Sequence, residues 1–137
     1  MNRQAIPLLT QKQIKITPNR KLVLDIFLVK QYALSLADLE NELPWADRAS
    51  LYRTLKTFEQ KALIHAIDDG DKAVKYALCD DSCEVSHHTI HPHFHCEKCG
   101  KTICLSPQDI SIPELPAHYK IQSYSLVING LCDTCAE

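Results

Sequence analysis

Two Cys-x-x-Cys pairs, Cys96-Glu97-Lys98-Cys99 and Cys132-Asp133-Thr134-Cys135, set four thiols at the spacing of a tetrahedral zinc site. A chain that uses them together must bring two well-separated segments to one point. The 137 residues fit one ordinary domain or two small ones, and a metal stabilises a half too small to bury much core. Cys96, Cys99, Cys132 and Cys135 are therefore expected to hold a structural Zn2+. The competing readings are redox-active thiol pairs and disulfides. The odd count of seven cysteines and the lack of a secretory signal favour reduced thiols in a cytoplasmic protein. No run of residues is apolar enough to span a bilayer, so no membrane association is expected.

The net charge of −2 hides an asymmetry. Residues 1–61 carry ten Lys and Arg against six Asp and Glu, while residues 62–137 carry five against eleven, balances of +4 and −6. A basic first half suits contact with phosphates, and an acidic second half is repelled by them.

Hydrophobic spacing predicts a helix from Thr17 to Lys30 through Leu22, Val23, Ile26, Phe27 and Val29, with Thr17 as cap and Pro18 in the first turn. A second helix is signalled by Ser35 as cap, Asp38 at the third position, and Pro44 beyond its end. A third runs from about Asp47 to Lys61, with Leu51, Leu55, Phe58 and Ala62 along one side. The segments 63–67 and 73–78 flank Asp68-Asp-Gly-Asp71 and read as a β-hairpin. Three helices and a hairpin match the winged helix-turn-helix, whose last helix enters the DNA major groove; any small α+β domain is the blander alternative. The expected fold class is α+β. A winged helix-turn-helix domain over 1–79 leads through a polar joint at 80–90 to a small zinc-stapled α/β dimerisation domain over 91–137. Strands are expected over 91–96, 101–105 and 120–128, and the prolines at 107, 113 and 116 argue against a long helix between them.

The run Ala49-Ser-Leu-Tyr52-Arg53-Thr54-Leu55, with His91-x-His93-x-x-Cys96-x-x-Cys99-Gly-Lys and Gly130-Leu-Cys132-x-x-Cys135, resembles the ferric uptake regulator family over nearly the whole chain. The resemblance implies a homodimeric, metal-dependent transcription factor that represses metal-uptake or stress genes from a palindromic double-stranded operator, rather than an enzyme. It implies that Tyr52 touches bases and that Arg53 reaches bases or phosphates; the alternative for Tyr52 is a place in the core. Arg48 and Lys56, a turn to either side, are expected to contact phosphates. Lys12 and Lys15 correspond to basic residues that some relatives place in the minor groove. For each lysine a solvated surface position is the competing reading.

His91 and His93 alternate onto one face of a strand and match the family's sensing histidines. Iron-sensing relatives commonly carry a Glu after the aromatic residue of the second wing strand, where Tyr76 is followed by Ala77 here. Cys79 stands instead where the zinc-sensing branch of the family carries a cysteine ligand, and His65 falls near a further ligand position of that branch. The expected sensing set is His65, Cys79, His91 and His93, with Cys83, His87, His88 and His95 as alternates. A thiolate with two imidazoles favours Zn2+ over Fe2+. Cys104, alternating within an apolar strand, is expected to be a core thiol. The function expected is zinc-dependent repression of metal-uptake genes. The rivals are an iron or peroxide sensor of the same family, a Cys-x-x-Cys redox protein, and a zinc-storage or adaptor protein.

Overall fold

The computed structural model describes residues 4–67, 73–78, 92–105, 113–122 and 126–136. The chain divides into two compact units, Met1–Asp80 and Asp81–Glu137.

In the first unit the sequence order is α1 (Ala5–Gln11), α2 (Pro18–Lys30), β1 (Leu34–Ser35), α3 (Leu36–Glu42), α4 (Arg48–Gln60), β2 (Ile64–Ile67) and β3 (Lys75–Leu78). Each long helix starts on a side-chain cap that satisfies a backbone N–H left over in the first turn. The Arg20 N–H donates to Thr17 Oγ1 at 3.2 Å. Ser35 and Asp38 form a reciprocal capping box: the Asp38 N–H donates to Ser35 Oγ at 3.1 Å and the Ser35 N–H to the Asp38 carboxylate at 2.9 Å. For α4, the Ser50 N–H donates to the Asp47 carboxylate at 3.2 Å. Helix α2 ends where Gln31 turns left-handed, with φ of 58°, and its N–H returns to Phe27 O at 3.1 Å.

Leu51, Leu55 and Phe58 of α4 are buried, as the spacing predicts, and they join Val23, Leu24, Phe27, Leu39, Leu63, Ile64 and Tyr76 in one core. Full burial of such a side chain contributes about 1.5–3 kcal/mol. The sheet has the order β1-β3-β2 and is antiparallel throughout, with Leu34 opposite Tyr76 and His65 opposite Ala77. Helices α2 to α4 and the β2–β3 hairpin are the elements of the winged helix-turn-helix.

Three details depart from the sequence reading. Helix α1 was not foreseen: it has seven residues and no side-chain cap, and the packing of Ala5 and Leu9 into the core holds it. Strand β1 is two residues long and exists through its pairing with β3. On α2 the inward face is Val23, Leu24 and Phe27, while Val29 is 79% exposed and Leu22 lies at the surface.

The second unit holds β4 (His93–Cys96), β5 (Thr102–Cys104) and β6 (Val127–Gly130) in the order β5-β4-β6. Strands β4 and β5 are antiparallel, whereas β4 and β6 are parallel, with His93 opposite Val127 and Cys96 opposite Gly130. The strand expected over 120–128 is corrected. Residues 120–122 lie outside any strand, and β6 runs on to Gly130 because its register is set by the four residues of β4. Among the described residues, 113–122 contain no helix.

Candidate metal centres and nucleic-acid interface

The four cysteines of the two Cys-x-x-Cys pairs come together. Their sulfurs all lie within 4.8 Å of one another, and Cys99 Sγ and Cys132 Sγ are 3.8 Å apart. A tetrahedral zinc with Zn–S bonds of about 2.3 Å sets its sulfurs roughly 3.8 Å apart, so the donor set fits that ion. The thiols are unbridged.

Backbone geometry builds the cluster. Beyond Cys96 the chain turns sharply: Gly100, with φ of 80°, donates its N–H to Cys96 O at 2.9 Å, and the Cys96 N–H donates to Lys101 O at 2.9 Å. The Glu97 N–H donates to Gly130 O at 2.8 Å, stitching this turn to β6. A Cβ on Gly130 would lie 3.4 Å from the Phe94 ring, a close approach that glycine permits. In the second turn the Ala136 N–H donates to Cys132 O at 2.8 Å.

Backbone N–H groups also set the charge. The Cys99 N–H, 3.5 Å from Cys96 Sγ, is the main reason the Cys96 thiol titrates near 6, followed by the backbone at Cys132. Cys135 is pushed up to about 12, chiefly by its hydrogen bond with the Cys132 thiol and then by burial. Without a cation the four thiols cannot all ionise together; a divalent metal removes that conflict.

The residues expected at a sensing site are described only in part. Cys79, Cys83, His87, His88 and His91 lie outside the described residues. His65 is half-buried on β2. His93 and His95 are both buried on one face of β4. The Nδ1 of His95 is hydrogen-bonded to Thr102 Oγ1 at 2.9 Å, so that nitrogen is already engaged. Cys104 corrects the expectation of a core thiol. It is half-buried, stands directly opposite His93 in the β4–β5 ladder, and brings its sulfur within 4.8 Å of a His93 ring nitrogen. The sequence signal was the alternation of Thr102 and Cys104 onto one face, legible only once the partner strand and its register are known.

Helix α4 presents a polar outer row. Arg48, Tyr52 and Lys56 follow one another four residues apart, with Arg53 alongside. Tyr52 is 48% exposed, which removes the reading that places it in the core. Arg53 Nη2 donates to Ser50 Oγ at 3.2 Å, and Arg48 pairs with Glu40 of α3. Lys56 lies 3.3 Å from Glu59 Oε1, and its ammonium sits 5.4 Å and 6.0 Å from the Tyr52 and Tyr76 ring centres. The Glu59 hydrogen bond, then Tyr76, hold its pKa above the usual lysine value. Lys12 is the half-buried residue closing α1, and Lys15 is exposed between α1 and α2. Sequence reasoning passed over Trp45, which is 64% exposed in the turn between α3 and α4 and is the chain's one tryptophan.

A peroxide operon regulator of Bacillus subtilis (strain 168) is 27% identical over 144 residues, covering 98% of this chain and 93% of that protein. The zinc uptake regulation protein of Escherichia coli (strain K12) is 25% identical over 142 residues, covering 98% and 80%. A solved zinc uptake regulator complexed with zinc and DNA superposes with a TM-score of 0.63 at 20% identity, covering 96% of this chain and 90% of that one, which shows a shared fold. The profile of the ferric uptake regulator family matches residues 11–128, and on that span the chain belongs to this family of metal-dependent regulators.

Proposed function

We propose that this regulator is a zinc-responsive transcriptional repressor of metal-uptake genes that binds a palindromic operator as a homodimer. The observation that carries the reading is the exposed row of Arg48, Tyr52 and Arg53 on the outer face of α4, in a chain whose second unit gathers four thiols. In this reading Tyr52 and Arg53 meet base edges, and Lys12, Lys15, Arg48 and Lys56 meet phosphates. Arg48 and Lys56 reach DNA by exchanging Glu40 and Glu59 for phosphate oxygens.

Cys96, Cys99, Cys132 and Cys135 hold a structural zinc in this reading. The sensing ion is assigned to His65, Cys79, His91 and His93, with Cys83, His87, His88 and His95 as alternates. Bound metal supplies the free energy that favours one arrangement of the molecule, and the response can be no larger than the difference in metal affinity between arrangements. Zinc is favoured over iron because Tyr76 is followed by Ala77 rather than by a carboxylate, leaving softer donors to dominate.

An iron-dependent peroxide sensor is the second reading, supported by the likeness to the Bacillus subtilis peroxide operon regulator. The deciding experiment is elemental analysis joined to operator binding titrated with Zn2+ or, anaerobically, Fe2+. Two zinc ions per chain, with operator affinity rising as the second binds, supports the zinc reading. One retained zinc, with affinity rising only on Fe2+ and lost on adding peroxide, moves the assignment to the peroxide sensor.

A further inference from the structure

We infer that Glu40 is a positioning residue of the DNA-binding face: its carboxylate holds the Arg48 guanidinium in the free protein and competes with backbone phosphate for it, which sets how tightly this face grips DNA. The inference deepens the proposed DNA contacts and rests on the phosphate role given there to Arg48. It does not depend on which metal is sensed.

The first turn of a helix is an unfavourable place for a cation. Unpaired backbone N–H groups give that end a partial positive charge, which attracts anions and repels a guanidinium. Arg48 is nevertheless the first residue of α4, and that first turn carries no acidic residue. The carboxylate of Asp47, one position earlier, is engaged by the Ser50 N–H at 3.2 Å and the Ser50 hydroxyl at 3.3 Å. The local sequence thus gives Arg48 a charge of the wrong sign for helix stability. A phosphate suits both the helix end and the guanidinium.

In the structure the anion comes from another helix. Glu40, on α3 and eight residues earlier, accepts a hydrogen bond from Arg48 Nη1 and forms an ion pair with it. The carboxylate side chain is 32% exposed and the arginine 67%, so the guanidinium is the more open of the two. This pair spans the turn between α3 and α4 and forms only when the two helices are packed. Lys56 with Glu59 is the contrast, a pair three residues apart on one helix of a kind common on solvated helical surfaces. Arg53, between these cations in sequence, donates to the neutral Ser50 Oγ at 3.2 Å.

An exposed ion pair is weak enough for phosphate to displace, yet breaking it lowers DNA affinity by a factor of up to about five. Salt weakens the Arg48–Glu40 pair and an Arg48–phosphate contact together. The exchange therefore adds less to the salt dependence of binding than an unpaired arginine would.

The test uses the zinc-loaded full-length protein and a labelled random-sequence DNA duplex, which reads phosphate contacts without an operator. Glu40→Gln keeps the shape and a hydrogen-bond acceptor while removing the charge. It should tighten binding about two- to fivefold at about 0.1 M salt and steepen the slope of log affinity against log salt by up to about one. Glu40→Ala, which removes the acceptor as well, should do the same. The gain should fall by more than half in an Arg48→Gln background, since Glu40 acts through that arginine. A purely structural pair would lower the melting temperature of these variants and leave the salt slope where it was. The inference is overturned if both Glu40 variants bind the duplex no more tightly than wild type, or if most of the gain survives without Arg48, which would make Glu40 a general repulsive charge. Operator binding titrated with Zn2+ separates this inference from the proposed function. Zinc-dependent binding with Glu40 variants indistinguishable from wild type on the duplex removes the inference alone, whereas a Glu40 effect on the duplex with no zinc dependence at the operator removes the zinc reading alone.

Discussion

The Lys56 ammonium lies 5.4 Å from the centre of the Tyr52 ring, one turn along the same outer row of α4. The contact props the ring from one side and leaves the tyrosine half-exposed, so its removal should leave the core intact. Tyr52→Ala is expected to change folding stability by less than about 0.5 kcal/mol. It should reduce operator affinity by about 1–3 kcal/mol. Thermal melting and fluorescence anisotropy on labelled operator separate the two, and a melting loss with intact binding would place Tyr52 in packing instead.

Arg53 and Lys15 should fail in different ways. Arg53→Ala should cost about 1–3 kcal/mol against the cognate operator and relax discrimination at one base position. Lys15→Gln should weaken all sequences alike and lower the slope of log affinity against log salt by about one. A salt series on cognate and single-base-changed operators checks both, and equal losses on every sequence for Arg53→Ala would reassign it to phosphate.

Removing the clustered metal should unfold one unit and spare the other. Serine at Cys96, Cys99, Cys132 or Cys135, or strong chelation of wild type, is expected to abolish metal binding at the cluster and to collapse the amide resonances of the second unit into the narrow range of an unfolded chain. The winged-helix resonances should persist, because that unit has its own core of Val23, Phe27, Leu55 and Phe58. Two-dimensional amide NMR with zinc analysis reads this directly, and a collapse of both sets together would show that the units fold as one.

Within the winged unit, two substitutions should rank clearly. Phe58 is fully buried in the shared core, and Phe58→Ala should cost about 3–5 kcal/mol. Ser35→Ala, which breaks half of the capping box on α3, should cost about 1 kcal/mol. Urea unfolding of the two variants measures the difference.

What the sequence disclosed follows from how local each determinant is. Thr17-Pro18, Ser35 with Asp38, and Asp47 announce helix starts because a cap acts across three residues. The two Cys-x-x-Cys pairs were legible because thiolate spacing is itself local chemistry. Helix α1 and strand β1 were hidden, since one rests on packing and the other on pairing with a strand some forty residues later. The exposure of Tyr52 depended on which side of α4 met the core. The position of Cys104 depended on register: shifted by one residue, β5 would have turned its thiol to the other face.

The parallel pairing of β4 with β6 has a temporal consequence. Strands running the same way finish at the same edge, which is why the turns after Cys96 and after Gly130 can share an ion. Their thiols are 33 residues apart in the chain between Cys99 and Cys132. At about 5–20 residues per second of synthesis, the first pair therefore waits on the order of seconds for its partners. During that interval a nascent chain holds half a ligand set, so a divalent ion that needs all four thiols is bound only after the second pair has emerged.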